Sequence, residues 1–335
     1  MATQSPTAGR VARTATPDPA AWRAWHLFYH AARERLVAEV VRPTVTSLKA
    51  DGDITSFYFV RYDLGGPHIR LRVRPAPGRD ELVEAKVQWA ASEFFRREPS
   101  TKSVSAETIL WRNAGIAASD PLSGGAADEV HPDNSIREFP VFFEVERYGG
   151  PMLFRHSLEY FTISSDEALR FVSADPGGAA GQRLVIASRL WIDQAWGFAK
   201  DQVAFMDLLG YASRLFTGEW TARFIQRGDE AFERQRAVHT QLLRHELKAL
   251  VAADGTLKGG LSPVLAQGAR RLARSTRREE RGAWWIIAAS QLHMTANRLG
   301  LLNPEELYLG QILSRAAQEL ATAEPEFWRA LWGRR

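Results

Sequence analysis

The sequence contains no cysteine among its 335 residues. This absence excludes a disulfide framework, a thiolate nucleophile and a sulfur-ligated metal site. Charged residues interrupt every hydrophobic segment, so no run reaches the roughly 18 apolar residues of a membrane span. The first residues also lack the apolar run of a signal peptide. We therefore expect Met1–Asp18 to be a disordered tail, no association with a membrane, and a cytoplasmic protein.

Familiar nucleotide and metal motifs are missing as well. The glycine pairs Gly65-Gly66, Gly149-Gly150 and Gly259-Gly260 do not extend into a Walker loop or a dinucleotide fingerprint. The histidines show no zinc-protease spacing, and His26 and His30, four residues apart, do not make a metal site by themselves. We therefore expect neither a cofactor nor a metal ion.

Charge and hydrophobic content are ordinary. Lys and Arg number 43 against 39 for Asp and Glu, and the excess is not gathered in one basic tract, so we expect no direct binding of nucleic acid. Hydrophobic residues make up 45% of the chain, which is enough to bury a large core. We expect residues 19–335 to form a single domain, in which the region near residue 150 could separate two lobes.

The first half of the sequence favours strands. Segments rich in aromatic and β-branched residues predict strands at Trp25–Tyr29, Ile54–Tyr62, His68–Arg74, Val104–Trp111 and Arg137–Tyr148. The first of these also suits a helix, because Asp18 and Pro19 form a plausible helix start. Apolar spacing predicts two helices in this half, at Arg33–Leu48 and Leu82–Phe95.

The second half favours helices. Periodic apolar positions predict them at Leu153–Phe161, Ala168–Phe171, Ala179–Leu209, Glu230–Ala252 and Gly282–Leu299. One more helix, with Asn303 as its N-cap, is predicted to run to Leu320. Segments 119–133 and 174–181 are expected to be mobile. The pattern predicts an α+β fold: a strand-rich N-terminal half with an antiparallel or mixed sheet, packed on a largely helical C-terminal half.

Three segments carry the candidate chemistry, and the first is an arginine-rich strand. Side chains alternate between the two faces of a strand, so Arg70, Arg72 and Arg74 should share one face while the apolar residues between them enter the core. Guanidinium groups stay charged and bind carboxylate or phosphate through a planar fork, so this face could bind an anion. A solvated strand face with acidic partners fits the same pattern.

The second segment precedes the Gly149-Gly150 pair. Glu144 and Glu146 should share one strand face, and Arg147 should point to the other unless the strand twists or ends there. An arginine paired with a glutamate is held in a fixed orientation, which suits catalysis and suits a structural ion pair equally well.

The third segment lies in the most apolar predicted helix. His293 and Asn297 are four residues apart and therefore lie on one helical face. An imidazole in such a setting can transfer a proton near neutral pH, but a histidine near an apolar face can also be a satisfied core residue.

Taken together, these segments resemble the C-terminal glutamate-elimination domain of the lantibiotic dehydratases, a family that also includes thiopeptide-type bacteriocin biosynthesis proteins. The resemblance spans roughly residues 22 to 325. It rests on the segments Trp25-His26-Leu27-Phe28-Tyr29, Phe59-Val60-Arg61-Tyr62, Pro67-His68-Ile69-Arg70-Leu71-Arg72, Glu144-x-x-Arg147-Tyr148-Gly149-Gly150 and His293-x-x-x-Asn297-Arg298-Leu299.

The resemblance implies a lyase that acts on a ribosomal precursor peptide. A separate protein would glutamylate Ser or Thr from glutamyl-tRNA, because a chain of this length has no room for that domain. The chain itself would expel glutamate to leave dehydroalanine or dehydrobutyrine. The implied catalytic residues are Arg70, Arg72, Glu144, Arg147 and His293. The implied substrate-binding residues are Arg74, Tyr148, Ser290, Asn297 and Arg298.

Two other functions fit the same resemblance or pattern. The pyridine synthases of thiopeptide assembly resemble the same domain and join two dehydroalanines in a formal [4+2] cycloaddition with release of the leader peptide. A subunit without catalytic activity, which only binds the precursor peptide, is the third interpretation.

Overall fold

The computed structural model describes residues 17–119, 128–174, 180–216, 218–250, 260–279 and 284–333. Most of the predicted tail, residues 1–16, lies outside the described residues. The same holds for residues 120–127 and 175–179 of the two segments predicted to be mobile. Among the described residues, no helix is both long and apolar enough to cross a membrane.

One antiparallel sheet with the strand order β2-β3-β1-β4 forms the N-terminal half. Its strands are β1 (Arg23–Phe28), β2 (Ile54–Tyr62), β3 (His68–Pro75) and β4 (Ser135–Phe139). Three of the five predicted strands are therefore confirmed nearly at their predicted bounds. Helices occupy most of the remaining described chain, so the predicted α+β class is confirmed as well.

Alternation along β3 divides the sheet into two faces. Ile69, Leu71 and Val73 are buried in the main core, whereas Arg70 and Arg72 between them are only half-buried on the opposite face. In the register of the sheet, Arg72 lies between Tyr58 and Ala24, and Arg70 lies between Val60 and His26. One face therefore packs on helices, and the other presents guanidinium and aromatic side chains.

Two strand predictions are corrected. Residues Val104–Trp111 belong mostly to helix α4 (Ala106–Ser119), because the Ser105 hydroxyl accepts the amide of Thr108 and starts a helix. The strand predicted at Arg137–Tyr148 ends at Phe139, since Pro140 has no N–H for a sheet hydrogen bond. The chain then runs without regular structure to a 3-10 turn at Glu146–Tyr148.

The helix predicted at Arg33–Leu48 is helical throughout but not regular. It consists of α1 (Arg33–Leu36), a π-helical turn (Val37–Val41) and α2 (Arg42–Ala50). The wide turn lies immediately before Pro43, which cannot donate to the carbonyl one α-helical turn earlier. The second helix of this half, α3, spans Asp80–Arg97 and confirms the prediction for Leu82–Phe95.

Ten helices described after Gly149 build the C-terminal half. They are α5 (Gly150–Ala174), α6 (Ala180–Phe198), α7 (Gln202–Leu209), α8 (Ala212–Leu215), α9 (Glu219–Arg234), α10 (Arg236–Leu250), α11 (Pro263–Glu279), α12 (Trp284–Leu299), α13 (Asn303–Ala323) and α14 (Pro325–Gly333). The sheet and these helices share one continuous core, which includes Phe57, Leu71, Trp196 and Leu292.

Several helix boundaries differ from the prediction. The two segments predicted between Leu153 and Phe171 form one helix, α5. The predicted Ala179–Leu209 helix is two, because the Asp201 carboxylate accepts the Ala204 amide and starts α7. Asn303 is the first residue of α13 rather than its N-cap. The predicted Glu230–Ala252 helix corresponds to the end of α9 and to α10, which are separate helices. The sequence pattern does not predict α8, α11, α14 or the first part of α9.

Helix side chains cover the outer edge of β2. Asn297 on α12 accepts the Arg61 amide and donates to the Arg61 carbonyl, both at 2.9 Å. Arg298 donates from Nε to the Phe59 carbonyl at 2.9 Å and from Nη1 to Ser164 at 2.8 Å. An edge strand leaves unpaired backbone groups, and these contacts satisfy them while fixing α12 against the sheet.

Asn297→Ala should lower the free energy of unfolding by roughly 2 kcal/mol, because the variant removes the partner of two Arg61 backbone groups. Urea unfolding followed by circular dichroism measures the change. Gln88→Ala, on the exposed face of α3, is the control and should change little. Equal losses in the two variants would contradict the role of Asn297.

A buried carboxyl on α6 gives the fold a pH dependence. The Asp193 side chain is fully buried and accepts the amide of Ser262 at 2.6 Å. Burial raises the pKa of Asp193 from its usual 3.8 to about 7. Between these values the folded chain binds more protons than the unfolded chain, so the stability contributed by this group falls as pH rises.

Asp193→Asn removes this titration while it retains an oxygen that can accept the Ser262 amide. Relative to the wild type, the variant should gain on the order of 2 kcal/mol in free energy of unfolding between about pH 5 and about pH 8. Urea unfolding at both pH values measures the difference. A difference that does not change with pH would contradict the expected titration of Asp193.

Candidate functional site

A cavity of about 360 Å³ lies over the arginine-bearing face of the sheet. Its walls come from β2, β3, the segment that follows β4, and helices α5 and α12. All five predicted catalytic residues line it: Arg70, Arg72, Glu144, Arg147 and His293. The fold therefore brings together residues that are separated by more than 200 positions in the sequence.

Arg72 presents a donor into this cavity. Its Nη1 donates to the Tyr58 hydroxyl at 2.7 Å, and Tyr58 is buried. Its Nε is buried and has no hydrogen-bond partner among the described residues. An unpaired buried donor on a charged group is costly, and the guanidinium that bears it is only half-buried at the cavity wall, where it can bind an anion.

Arg70 is held beside it by a neutral histidine. Arg70 Nε donates to His68 Nε2 at 3.2 Å, and His68 Nδ1 donates to the Gly66 carbonyl at 2.7 Å. Burial, followed by the charge of Arg70, holds the pKa of His68 well below its usual range. The guanidinium also lies 3.8 Å above the Tyr62 ring. These contacts fix the orientation of Arg70.

His26 closes the sheet side of the cavity. Its ring stacks on Phe139 at 4.0 Å and on His68 at 4.7 Å. Burial is the main cause of a strongly lowered pKa for His26, and the neighbouring His68, Arg70 and Arg72 lower it further. His26 therefore stays neutral and acts as an aromatic wall beside the arginines.

Arg147 reaches the cavity because the chain turns where a strand was predicted. The 3-10 turn at Glu146–Tyr148 brings Arg147 Nη1 to 2.9 Å from Glu144 Oε2, and its Nε lies 3.4 Å from the Ser290 hydroxyl. Glu146 is exposed to solvent and no strand forms here, so the prediction that Glu144 and Glu146 share one strand face is wrong. The pair that forms is Glu144 and Arg147.

Gly149 and Tyr148 fix this turn. Gly149 has φ +84°, and a Cβ there would lie 2.6 Å from Leu153 and 2.8 Å from Ile287, so only glycine suits the position. Tyr148 packs edge-on against Phe161 at 4.9 Å. Tyr148 lines the cavity, and burial raises the pKa of its hydroxyl above the usual value, so it stays protonated.

His293 is oriented by a carboxylate that the sequence analysis did not identify as functional. Its Nδ1 lies 3.1 Å from both carboxylate oxygens of Glu306 on α13. Glu306 is fully buried and also accepts the Tyr211 hydroxyl. A neutral His293 therefore carries its proton on Nδ1, which leaves the lone pair of Nε2 for the cavity.

Glu306 and Tyr211 could not be assigned to the site from a local pattern. In the sequence Glu306 is one of two acidic residues in the first turn of a predicted helix, a feature that many helices have. Tyr211 lies in a short turn before α8. Their spacing from His293 follows no helical or strand period, so only the packing of α12 on α13 reveals the contact.

Three of the five predicted substrate-binding residues line the cavity, and two do not. Tyr148, Asn297 and Arg298 line the cavity, although Asn297 and Arg298 are hydrogen-bonded to the backbone of β2. Ser290 lies behind Arg147, and its hydroxyl accepts from that guanidinium. Arg74 lines a different groove, next to the cavity. Within the described part of the chain, no cluster of three acidic or histidine side chains could hold a metal ion.

A family model described as lantibiotic biosynthesis dehydratase C-term matches residues 22–317 of the chain. This range includes every residue of the site described above. Among curated proteins, no match is found.

The solved structures that share the fold include the following three. The pyridine synthase TbtD from thiomuracin biosynthesis has a TM-score of 0.71 at 20% identity, over 90% of this chain and 99% of that chain. The tRNA-dependent lantibiotic dehydratase MibB from Microbispora sp. 107891 has a TM-score of 0.57 at 16% identity, over 97% of this chain and 29% of that chain. TsrL has a TM-score of 0.56 at 14% identity, over 94% of this chain and 98% of that chain.

Proposed function

The chain belongs to the lantibiotic biosynthesis dehydratase C-terminal family, and we propose that it eliminates glutamate from glutamylated Ser or Thr residues of a ribosomal precursor peptide. The observation that carries this proposal is the cavity itself. It combines a half-buried arginine with an unpaired donor, a second arginine held by a glutamate, and a histidine with an available lone pair. These are the groups that a β-elimination with an anionic leaving group requires.

The first step removes the α-proton of the glutamylated residue. His293 Nε2 accepts this proton, and Glu306 stabilises the resulting imidazolium through Nδ1. The electron pair of the Cα–H bond moves toward the carbonyl and develops enolate character on its oxygen. Arg72, whose half-buried guanidinium lines the cavity, donates to this oxygen, and Arg70 adds positive charge beside it.

The second step expels the leaving group. The electron pair returns to form the Cα=Cβ double bond, the Cβ–O bond breaks, and glutamate departs with a free carboxylate. Arg147 holds this carboxylate, because Glu144 and Ser290 fix its guanidinium at the cavity wall. The proton on His293 is then released to solvent, and dehydroalanine or dehydrobutyrine remains in the peptide.

This function needs a partner that prepares the substrate. The family member MibB is described as tRNA-dependent, and the present chain corresponds to 29% of its length. We propose that a separate protein glutamylates the peptide from glutamyl-tRNA, and that this chain acts afterwards in the cytoplasm without binding tRNA.

Pyridine synthesis is the second candidate function. It is favoured by the similarity to TbtD, which extends over 99% of that chain. We prefer elimination, because a cycloaddition of two dehydroalanines has no anionic leaving group that would need both the Arg147–Glu144 pair and the unpaired donor of Arg72. Two mass measurements on one purified sample separate the reactions. Elimination releases glutamate from a glutamylated peptide, and cycloaddition makes a pyridine macrocycle from a peptide with two dehydroalanines.

Arg72→Ala should slow release of glutamate from a pre-glutamylated peptide by about 10²- to 10³-fold, because one donor to the enolate oxygen is lost. His293→Ala should slow it by about 10²- to 10⁴-fold, because the general base is lost. Single-turnover mass spectrometry measures both rates, and circular dichroism checks the fold. Arg96→Ala, on an exposed face of α3, is the control. Undiminished release in either site variant would remove that residue from the mechanism.

Glu306 and Tyr211 should act as positioning residues for His293. Glu306→Gln should slow glutamate release by about 10- to 100-fold, because glutamine lacks the negative charge that would stabilise the imidazolium of His293. Tyr211→Phe should act in the same direction with a smaller effect, and it preserves the carboxylate. The rate with saturating peptide measures both.

A double-variant comparison separates this role from a structural one. If Glu306 acts through His293, Glu306→Gln should have almost no further effect on the rate in the His293→Ala background. An equal slowing in both backgrounds would show that Glu306 supports the fold rather than the imidazole.

A further inference from the structure

A second and larger groove lies beside the catalytic cavity. Its volume is about 940 Å³, and its walls come from α5, α11 and the ends of β2 and β3. No residue of the mechanism above lines it.

Four arginines line this groove: Arg74 on β3, Arg155 on α5, and Arg271 and Arg274 on α11. None of them forms an ion pair or a side-chain hydrogen bond with another described residue. Two carboxylates also line the groove. Asp18 accepts the Ala20 amide at 2.9 Å, and Glu159 lies 3.7 Å from His156. Guanidinium groups therefore exceed carboxylates by two, and the arginines are available to anions.

Apolar side chains form the floor between these arginines. Leu158, Tyr160 and Leu272 line the groove and are buried. The two helices approach closely because position 268 is glycine. A Cβ at Gly268 would lie 3.1 Å from Ile163 and 3.2 Å from Tyr160. The groove thus offers aliphatic and aromatic contacts together with charge, as peptide-binding surfaces do.

The sheet joins this groove to the catalytic cavity. In the register of the strands, Arg74 pairs with Ser56 and lines the groove, two residues along β3 from Arg72, which pairs with Tyr58 and Ala24. Two residues along a strand span about 7 Å. A peptide bound in the groove would therefore be within a few residues of the reacting position.

We propose that this groove binds an acidic, aliphatic-containing segment of the precursor peptide, outside the residue that is modified. The inference rests on the proposed function only in that the substrate is a peptide, and it holds for either reaction. The apolar floor and the small number of arginines favour a peptide over RNA. Nucleic acid binding would call for a longer row of phosphate contacts.

The test uses the full chain and a fluorescein-labelled synthetic peptide in which glutamate alternates with leucine. Fluorescence anisotropy should show saturable binding that weakens as salt rises. The matched peptide with glutamine in place of every glutamate should bind with an affinity at least about tenfold lower. A triple variant, Arg155→Gln with Arg271→Gln and Arg274→Gln, should weaken binding of the acidic peptide by about tenfold.

The control variant removes the same charge elsewhere. Arg42→Gln with Arg112→Gln and Arg223→Gln changes three exposed arginines outside the groove and should leave peptide binding as in the wild type. Equal weakening in both triple variants would overturn the proposal, since net charge alone would then explain binding. Tighter binding of a single-stranded RNA oligonucleotide, displaced by neither peptide, would also overturn it.

The glutamate-release assay keeps this inference separate from the proposed function. Loss of catalysis in the Arg72 variant with peptide binding retained supports both assignments. If the wild-type chain releases glutamate but fails to bind the acidic peptide, the proposed peptide binding in the groove is overturned and the proposed reaction is not. Binding without release or cycloaddition overturns the proposed reaction and leaves the groove supported.

Discussion

The covered edge of β2 is the constraint on which the site depends. Its backbone groups are satisfied by side chains rather than by another strand, and Asn297 and Arg298 of α12 supply most of the partners near the cavity. Burying Arg298 is costly, and desolvation lowers the pKa of its guanidinium to about 10. The Phe59 carbonyl and Ser164 offset part of this cost, and they do so only in one register of α12 against the sheet. That register places a helix-borne imidazole over the strand-borne arginines.

A cavity that gathers several cations must limit repulsion among them. The two histidines nearest to Arg70, His26 and His68, respond by remaining neutral, because burial and the arginine charges lower the pKa of each. Glu144 offsets Arg147 directly. The charge that remains lies in a partly enclosed space where water screens it poorly, so a bound anion interacts strongly with it. Because the positive charges repel one another, a bound anion lowers the electrostatic free energy of the cavity.

Period-two alternation explains why part of this site could be predicted from the sequence. The apolar residues between Arg70 and Arg72 must enter a core, so both arginines had to share the other face. Other parts depend on contacts without any sequence period. The turn that pairs Glu144 with Arg147 follows from Pro140 ending β4, and the local pattern rich in Phe and Val had indicated a longer strand. For α4, a serine cap outweighed a β-branched composition.

Helix α12 links the three parts of the proposed chemistry. Ser290, His293 and Asn297 lie at i, i+3 and i+7 and therefore on one face of the helix. Ser290 contacts the arginine proposed to hold the leaving group, His293 is the proposed base, and Asn297 fixes the helix to the sheet that bears the proposed enolate donors. A shift of α12 by one residue would separate the base from both groups of cations at once. The distances among the proposed base, enolate donor and leaving-group arginine are thus set together by one rigid element, as a reaction with a demanding geometry requires.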